Sequence, residues 1–139
     1  MSLRQLKATR WIQRLTRVAL LALIALVGGL LITQFAFGHA ELMKANIADG
    51  AVFSLTQVPG QVVLNFGEDL DTKRSSIYVV KLGEDILVDR GDLSVQGSQM
   101  AISLNALQTG VYQIHWVSIT PDDGGFRSGT ITFSVKIGR

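Results

Sequence analysis

The chain carries two imidazoles, His39 and His115, and one pair of carboxylates set against glycines, Asp122-Asp123-Gly124-Gly125. Imidazole and carboxylate are the groups best suited to bind a metal or move a proton near neutral pH. Their arrangement excludes several kinds of catalyst. There is no Gly-x-Ser-x-Gly elbow and no His-Glu-x-x-His helix, and the two histidines lie far apart in sequence with no serine partner in a recognisable pattern. Cysteine is absent, which removes thiolate metal sites, a cysteine nucleophile and thiol redox chemistry. The glycines sit at turns and not where a strand meets a helix, so no phosphate cradle is expected. The reading is of a protein that is not an enzyme.

His39 is distinguished by its position. It follows Ala36-Phe37-Gly38 at the end of an apolar run that begins at Val18, and Arg4, Lys7, Arg10, Arg14 and Arg17 precede that run without an acidic residue among them. A positive leader, an apolar stretch and a small-x-small boundary make a secretory signal peptide. A cut after Gly38 would turn His39 into a new N-terminus. The competing reading is a retained transmembrane anchor over 18–38, a stretch interrupted by Thr33 and Gln34 and long enough to cross a bilayer. Under either reading residues 1–38 are a targeting segment, the basic residues keep the N-terminus cytoplasmic, and residues 39–139 form an exported domain.

The exported part holds eight Lys and Arg against 11 Asp and Glu, a net charge of −3, so the excess of basic residues over the full chain belongs to the leader. A nucleic-acid partner therefore has no basic surface to meet. Without disulfides the domain must be held by its core, which about 100 residues can supply.

From Glu41 onward the apolar residues recur with a period of two. In TITFSVKI (130–137) Ile131, Phe133, Val135 and Ile137 alternate with polar residues. QVVLNF (61–66) places Val62, Leu64 and Phe66 on one face, and VYQIHWVSI (111–119) does the same with Tyr112, Ile114 and Trp116. SIYVVKL (76–82) and MAISL (100–104) also read as strands. Pro59-Gly60, Gly83-Glu84-Asp85, Gly91-Asp92, Gly97 and Thr109-Gly110 separate them. These features predict an all-β antiparallel sandwich, preceded by the N-terminal hydrophobic helix, with Phe66, Trp116, Phe133 and Val135 in its core.

Three stretches, HAELMKANIADGAVF, VVLNFGEDLD and LQTGVYQIHWVSITPDDGGFRSGTITFSVK, together resemble the CopC family of periplasmic copper-resistance proteins. Members open with H-A-x-L, continue with a V-x-L-x-F-(S/G)-E strand and close with G-x-Y-x-V-x-W-x-x-x-S-x-D-x-H-P-x-x-G-x-x-x-F-x-V. The resemblance spans residues 39–139 in order. It implies an Ig-like (cupredoxin-like) antiparallel Greek-key sandwich of about seven strands and a Cu(II) site built from the N-terminal histidine, through amine and imidazole, with the Asp and His of the D-x-H motif. An amine and a ring nitrogen of one residue form a chelate, and Cu(II) favours such nitrogen and oxygen donors in a tetragonal set.

On that pattern the metal ligands of this chain are His39 and Asp123, with Asp122 as a further carboxylate. The chain departs at the second histidine, where alignment on Gly129 places Gly125, with Phe126 on the usual proline. Glycine cannot ligate, so the expected site is weakened, and restoring an imidazole at 125 is expected to tighten it. Read without the family, Asp-Asp-Gly-Gly is a hairpin turn. His115 alternates with the core residues and is expected at the surface, which also argues against the paired histidines of a copper oxygenase. Met43 and Met100 are distant in sequence and read as packing residues, so no thioether site for Cu(I) is expected.

Two functions follow. One is an extracytoplasmic Cu(II)-binding protein acting in copper resistance or copper delivery. The other is a metal-free, non-catalytic sandwich whose site has decayed, serving as an accessory or interaction module anchored to a membrane protein complex. The family often occurs beside or fused to copper-importing membrane proteins, which implies a copper-transporting or other membrane protein as partner. The expected location is periplasmic or otherwise extracytoplasmic, at the cytoplasmic membrane if the leader is retained.

Overall fold

The structure is a computed structural model that describes residues 39–138 together with Ala19. The signal peptide or anchor expected over 1–38 lies outside the described residues.

Nine strands follow one another: β1 Leu42–Ala45, β2 Ala51–Ser54, β3 Gln61–Phe66, β4 Ser76–Lys81, β5 Ile86–Leu87, β6 Ser94–Gln96, β7 Gln99–Ser103, β8 Gly110–Ile119 and β9 Phe126–Lys136. They form two sheets, ordered β1-β3-β7-β6 and β2-β9-β8-β4-β5. The expected sandwich is present, with β1, β2, β5 and β6 as short additions to the five strands that alternation marks. One pair departs from the antiparallel expectation, since β2 runs parallel to β9. The chain crosses from the first sheet to the second between β1 and β2, and a strand that changes sheets need not reverse direction as a hairpin does. Gly50, at φ 76°, allows the turn. Gly50 N–H donates to the Thr132 carbonyl (2.7 Å) and Thr132 N–H to Asp49 Oδ1 (2.8 Å), which fasten it to β9.

The core forms where alternating faces meet. Val62, Leu64 and Phe66 of β3 and Met100 and Ile102 of β7 face Tyr112, Ile114 and Trp116 of β8 and Ile131, Phe133 and Val135 of β9, and all are buried. Phe66 and Trp116 join the two sheets edge to face at 5.4 Å, and Tyr112 stacks on Phe133 at 5.3 Å. The Tyr112 hydroxyl donates to the Gln108 carbonyl (2.7 Å), so its polar tip is satisfied and its ring stays apolar-packed. Gly129 lies opposite Trp116 in the β8–β9 register, and a Cβ there would stand 2.5 Å from Trp116 Cζ2; glycine is what lets the indole lie flat across β9.

Two residues expected to pack in the core are exposed. Ile137 is exposed, because β9 stops at Lys136 and no opposing strand covers the residue beyond it. Met43, read as a packing residue, is exposed as well. The β1–β3 register shifts between Leu42 and Lys44, and this bulge turns Met43 outward, while Met100 is fully buried as expected.

Candidate metal centre

Strand β8 carries its inward alternation past the last apolar residue. After Tyr112, Ile114 and Trp116, the next two inward positions are Ser118 and Thr120, both polar and both buried. A hydroxyl removed from water needs a partner. Ser118 Oγ donates to the Ala40 carbonyl at 2.7 Å. Thr120 Oγ1 donates to Asp123 Oδ1 at 2.5 Å. One of these bonds fixes the start of the domain and the other fixes the loop after β8, and the two meet at the same end of the sandwich.

The loop is the connection of the β8–β9 hairpin, whose last register pair is Ile119 with Phe126. Thr120 N–H donates to the Gly125 carbonyl at 3.0 Å and closes it. Gly125 N–H donates to Asp123 Oδ1 at 2.8 Å, an Asx-type turn, and Gly124 takes the left-handed conformation at φ 68°. The hairpin reading of Asp-Asp-Gly-Gly is therefore correct for the backbone. The same carboxylate that shapes the turn also faces His39.

His39 arrives from the other side. Ala40 is completely buried under Ser118, and Glu41 accepts a bond from Gly67 N–H at 2.9 Å, so the segment entering β1 is held at two successive residues. His39, half-buried, is thereby placed over the loop. Its position is defined by the space above Gly125. A Cβ built on Gly125 would press into His39 Nδ1, stand 2.8 Å from Thr120 Oγ1 and lie 3.1 Å from Asp123 Oδ1. An imidazole nitrogen and a carboxylate oxygen thus converge beside one glycine, although the two residues are distant in sequence.

The hydroxyl of Thr120 is the main reason the Asp123 carboxyl is held below the ordinary carboxylate range. The Gly125 N–H adds to this, burial opposes it, and the neighbouring His39 makes the smallest contribution. Asp123 is therefore ready as an anionic oxygen donor, with Oδ1 engaged by two donors of its own loop.

The third expected ligand, Asp122, lines an open cleft of about 530 Å3 with Glu68, Asp69, Thr120 and Pro121. His115 does not join the site. It lies on the outward face of β8, opposite Tyr78 of β4, and stacks on that ring at 4.7 Å with the planes 4° apart, so it is half-buried by a neighbour and not by the core. Among the described residues no group of three or more His, Cys, Asp and Glu converges as a ready-made metal cage.

Ser118 and Thr120 are the residues that sequence reasoning passed over. Continuing the alternation of 112, 114 and 116 would have reached them, and two successive polar residues on a core face are a signal that something specific is bonded there. At Gly125 a Cβ would meet His39 Nδ1, so the His39 ring lies against the position that the resemblance gives to a second imidazole.

A family model described as "CopC domain" matches residues 42–136. Among solved structures, CopC from Methylosinus trichosporium OB3b superimposes with a TM-score of 0.59 at 21% identity, covering 73% of this chain and 97% of that one. PcoC, a copper resistance protein from Escherichia coli, does so with a TM-score of 0.55 at 26% identity, covering 69% of this chain and 99% of that one. None of the curated proteins matches this chain.

Proposed function

Since this chain belongs to the CopC domain family, we propose that it is an extracytoplasmic Cu(II)-binding protein, without catalytic activity, that acts in copper resistance or copper delivery. The observation that carries the reading is the convergence of His39 and Asp123 beside Gly125. The donor set, imidazole nitrogen and carboxylate oxygen with no thiolate, suits Cu(II) and offers nothing soft for Cu(I). The copper ion is the cargo. When His39 is the first residue of the mature chain, its free amine completes a chelate with its own ring, and Asp123 supplies the carboxylate. With one protein imidazole in place of two, the affinity is lower than in members that keep the second histidine. Both the amine and the imidazole must lose their protons to coordinate, so binding weakens on acidification.

The test is a Cu(II) titration followed by visible absorption for the domain beginning at His39 and for its His39→Ala and Asp123→Ala variants. The parent is expected to take up one equivalent, His39→Ala to lose the site, and Asp123→Ala to bind more weakly. Equal binding by His39→Ala and the parent would reject the copper reading.

A second reading has its own observation. Tyr78, Leu82, Ile86, Leu87 and Val111, on and around the β4–β5 hairpin and the neighbouring end of β8, leave apolar surface exposed. This is the kind of surface an accessory module anchored beside a membrane protein presents to its partner. The two readings part at residue 38: cleavage there frees the amine that copper needs, whereas retention of the leader locks it in a peptide bond and favours the module.

A further inference from the structure

We infer that Gly125 is a positioning residue: its missing side chain is what seats the His39 ring against Thr120 and Asp123. The consequence for metal affinity rests on the copper reading above, but the seating itself does not.

Three observations carry this. First, glycine at 125 is not required by the backbone. The left-handed conformation belongs to Gly124, at φ 68°, and Gly125 lies outside that region. Secondly, glycine is required by the surroundings, because the space a Cβ would fill is already bounded by His39 Nδ1, Thr120 Oγ1 and Asp123 Oδ1. This is the use of glycine for close approach and not for a turn. Thirdly, Thr120 and Asp123 are held by bonds of the loop itself. Thr120 and Asp123 are tied to each other at 2.5 Å, Asp123 is tied to the Gly125 N–H at 2.8 Å, and Gly125 is itself buried. The main chain behind His39 is held through Ala40 by Ser118. Of the three neighbours the His39 ring stands nearest the added Cβ, so a Cβ at 125 displaces the ring.

Gly125 is thus more than the trace of a lost ligand. A side chain at 125 and His39 in its present seat exclude each other, and this chain has the second arrangement. The two views differ sharply for alanine, which can neither ligate nor reach far. If glycine marks only a missing donor, Gly125→Ala leaves His39 and the copper affinity as they are. If glycine seats the ring, Gly125→Ala unseats it.

The experiment uses residues 39–139, a unit that corresponds to nearly the whole of the solved chains it superimposes on. In metal-free protein, nuclear Overhauser contacts between the His39 ring and the Gly125 and Thr120 protons are expected in the parent. They are also expected in the control Gly60→Ala, where a Cβ meets nothing within 4 Å, and to be absent in Gly125→Ala. Thermal melts of the parent, Gly125→Ala, His39→Ala and the double variant close the cycle. The cost of Gly125→Ala is expected to shrink markedly once the ring is gone, which reads the clash even if the single variant is poorly folded. With Cu(II) and a competing chelator, Gly125→Ala is expected to bind at least tenfold more weakly than the parent. Ring contacts that persist in Gly125→Ala, or an equal cost of the substitution with and without His39, would overturn the inference. Failure of the parent itself to bind copper would reject the copper reading and leave the ring contacts and the melts to decide the seating.

Discussion

Ser118→Ala is the perturbation that separates the site from the core most cleanly. The hydroxyl donates to a carbonyl whose residue, Ala40, has no exposed surface. A neutral hydrogen bond contributes about 0.5–1.5 kcal/mol net, and stranding a buried acceptor costs about 1–3 kcal/mol. The upper end of that range is not reached here. The segment ahead of β1 can lift from β8 and let water reach the Ala40 carbonyl, leaving the Glu41–Gly67 bond as the next hold. The expected loss is therefore about 1–2 kcal/mol, most of it local. Because His39 is the neighbour of Ala40, lifting the segment also carries the ring away from Asp123. At about 1.4 kcal/mol per factor of ten, Cu(II) affinity should fall roughly 5–30-fold. Denaturant melts give the first quantity and titration against a chelator the second, with Ser118→Thr as the variant that keeps the hydroxyl. A Ser118→Ala protein that melts with the parent and binds copper as tightly would show that the N-terminal segment is not held by this bond.

Trp116→Ala, by contrast, is expected to cost about 3–5 kcal/mol in denaturant melts, since the indole joins the two sheets through Phe66; a change below about 1 kcal/mol would contradict the inward face of β8. Intact mass measured on the native protein is expected to show a chain beginning at His39, and a dominant species that keeps residues 1–38 would reject cleavage. Acid stability follows from Asp71, whose carboxyl is lowered from 3.8, first by the Arg74 side chain and then by the Lys73 N–H. A carboxyl with a lowered folded value stabilises the fold above its unfolded value, about 3.9, and that contribution is lost as pH falls through the folded value. The melting temperature should fall below about pH 4, and less steeply in Asp71→Asn.

The parts of the fold legible in the sequence were those where burial and period coincide. Val62, Leu64 and Phe66, or Ile131, Phe133 and Val135, could be assigned inward because each strand has one covered face. Strand β5 could not be read, because Ile86 and Leu87 are both exposed and their apolar character reports no core. The parallel pairing of β2 with β9 depends on where a crossover lands, which no local pattern encodes. At the site, His39 and Asp123 could be named as candidate donors from their types and from the family resemblance. Their convergence was not, because it is produced by two hydroxyls and by the space left at Gly125. Periodicity identifies which positions face inward, but not which atoms meet there.

The Ser118–Ala40 bond spans 78 positions of sequence. A chain emerging from the ribosome or passing through a membrane N-terminus first exposes His39 early and completes Ser118, Thr120 and Asp123 late. Until β8 and its loop are in place, His39 has no carboxylate beside it and no strand to lie on. Such long-range closure is the slow kind of contact to form. On the copper reading proposed above, metal loading would be a terminal event, coupled to completion of the whole sandwich, and a truncated chain would carry His39 without the carboxylate it faces in the finished fold.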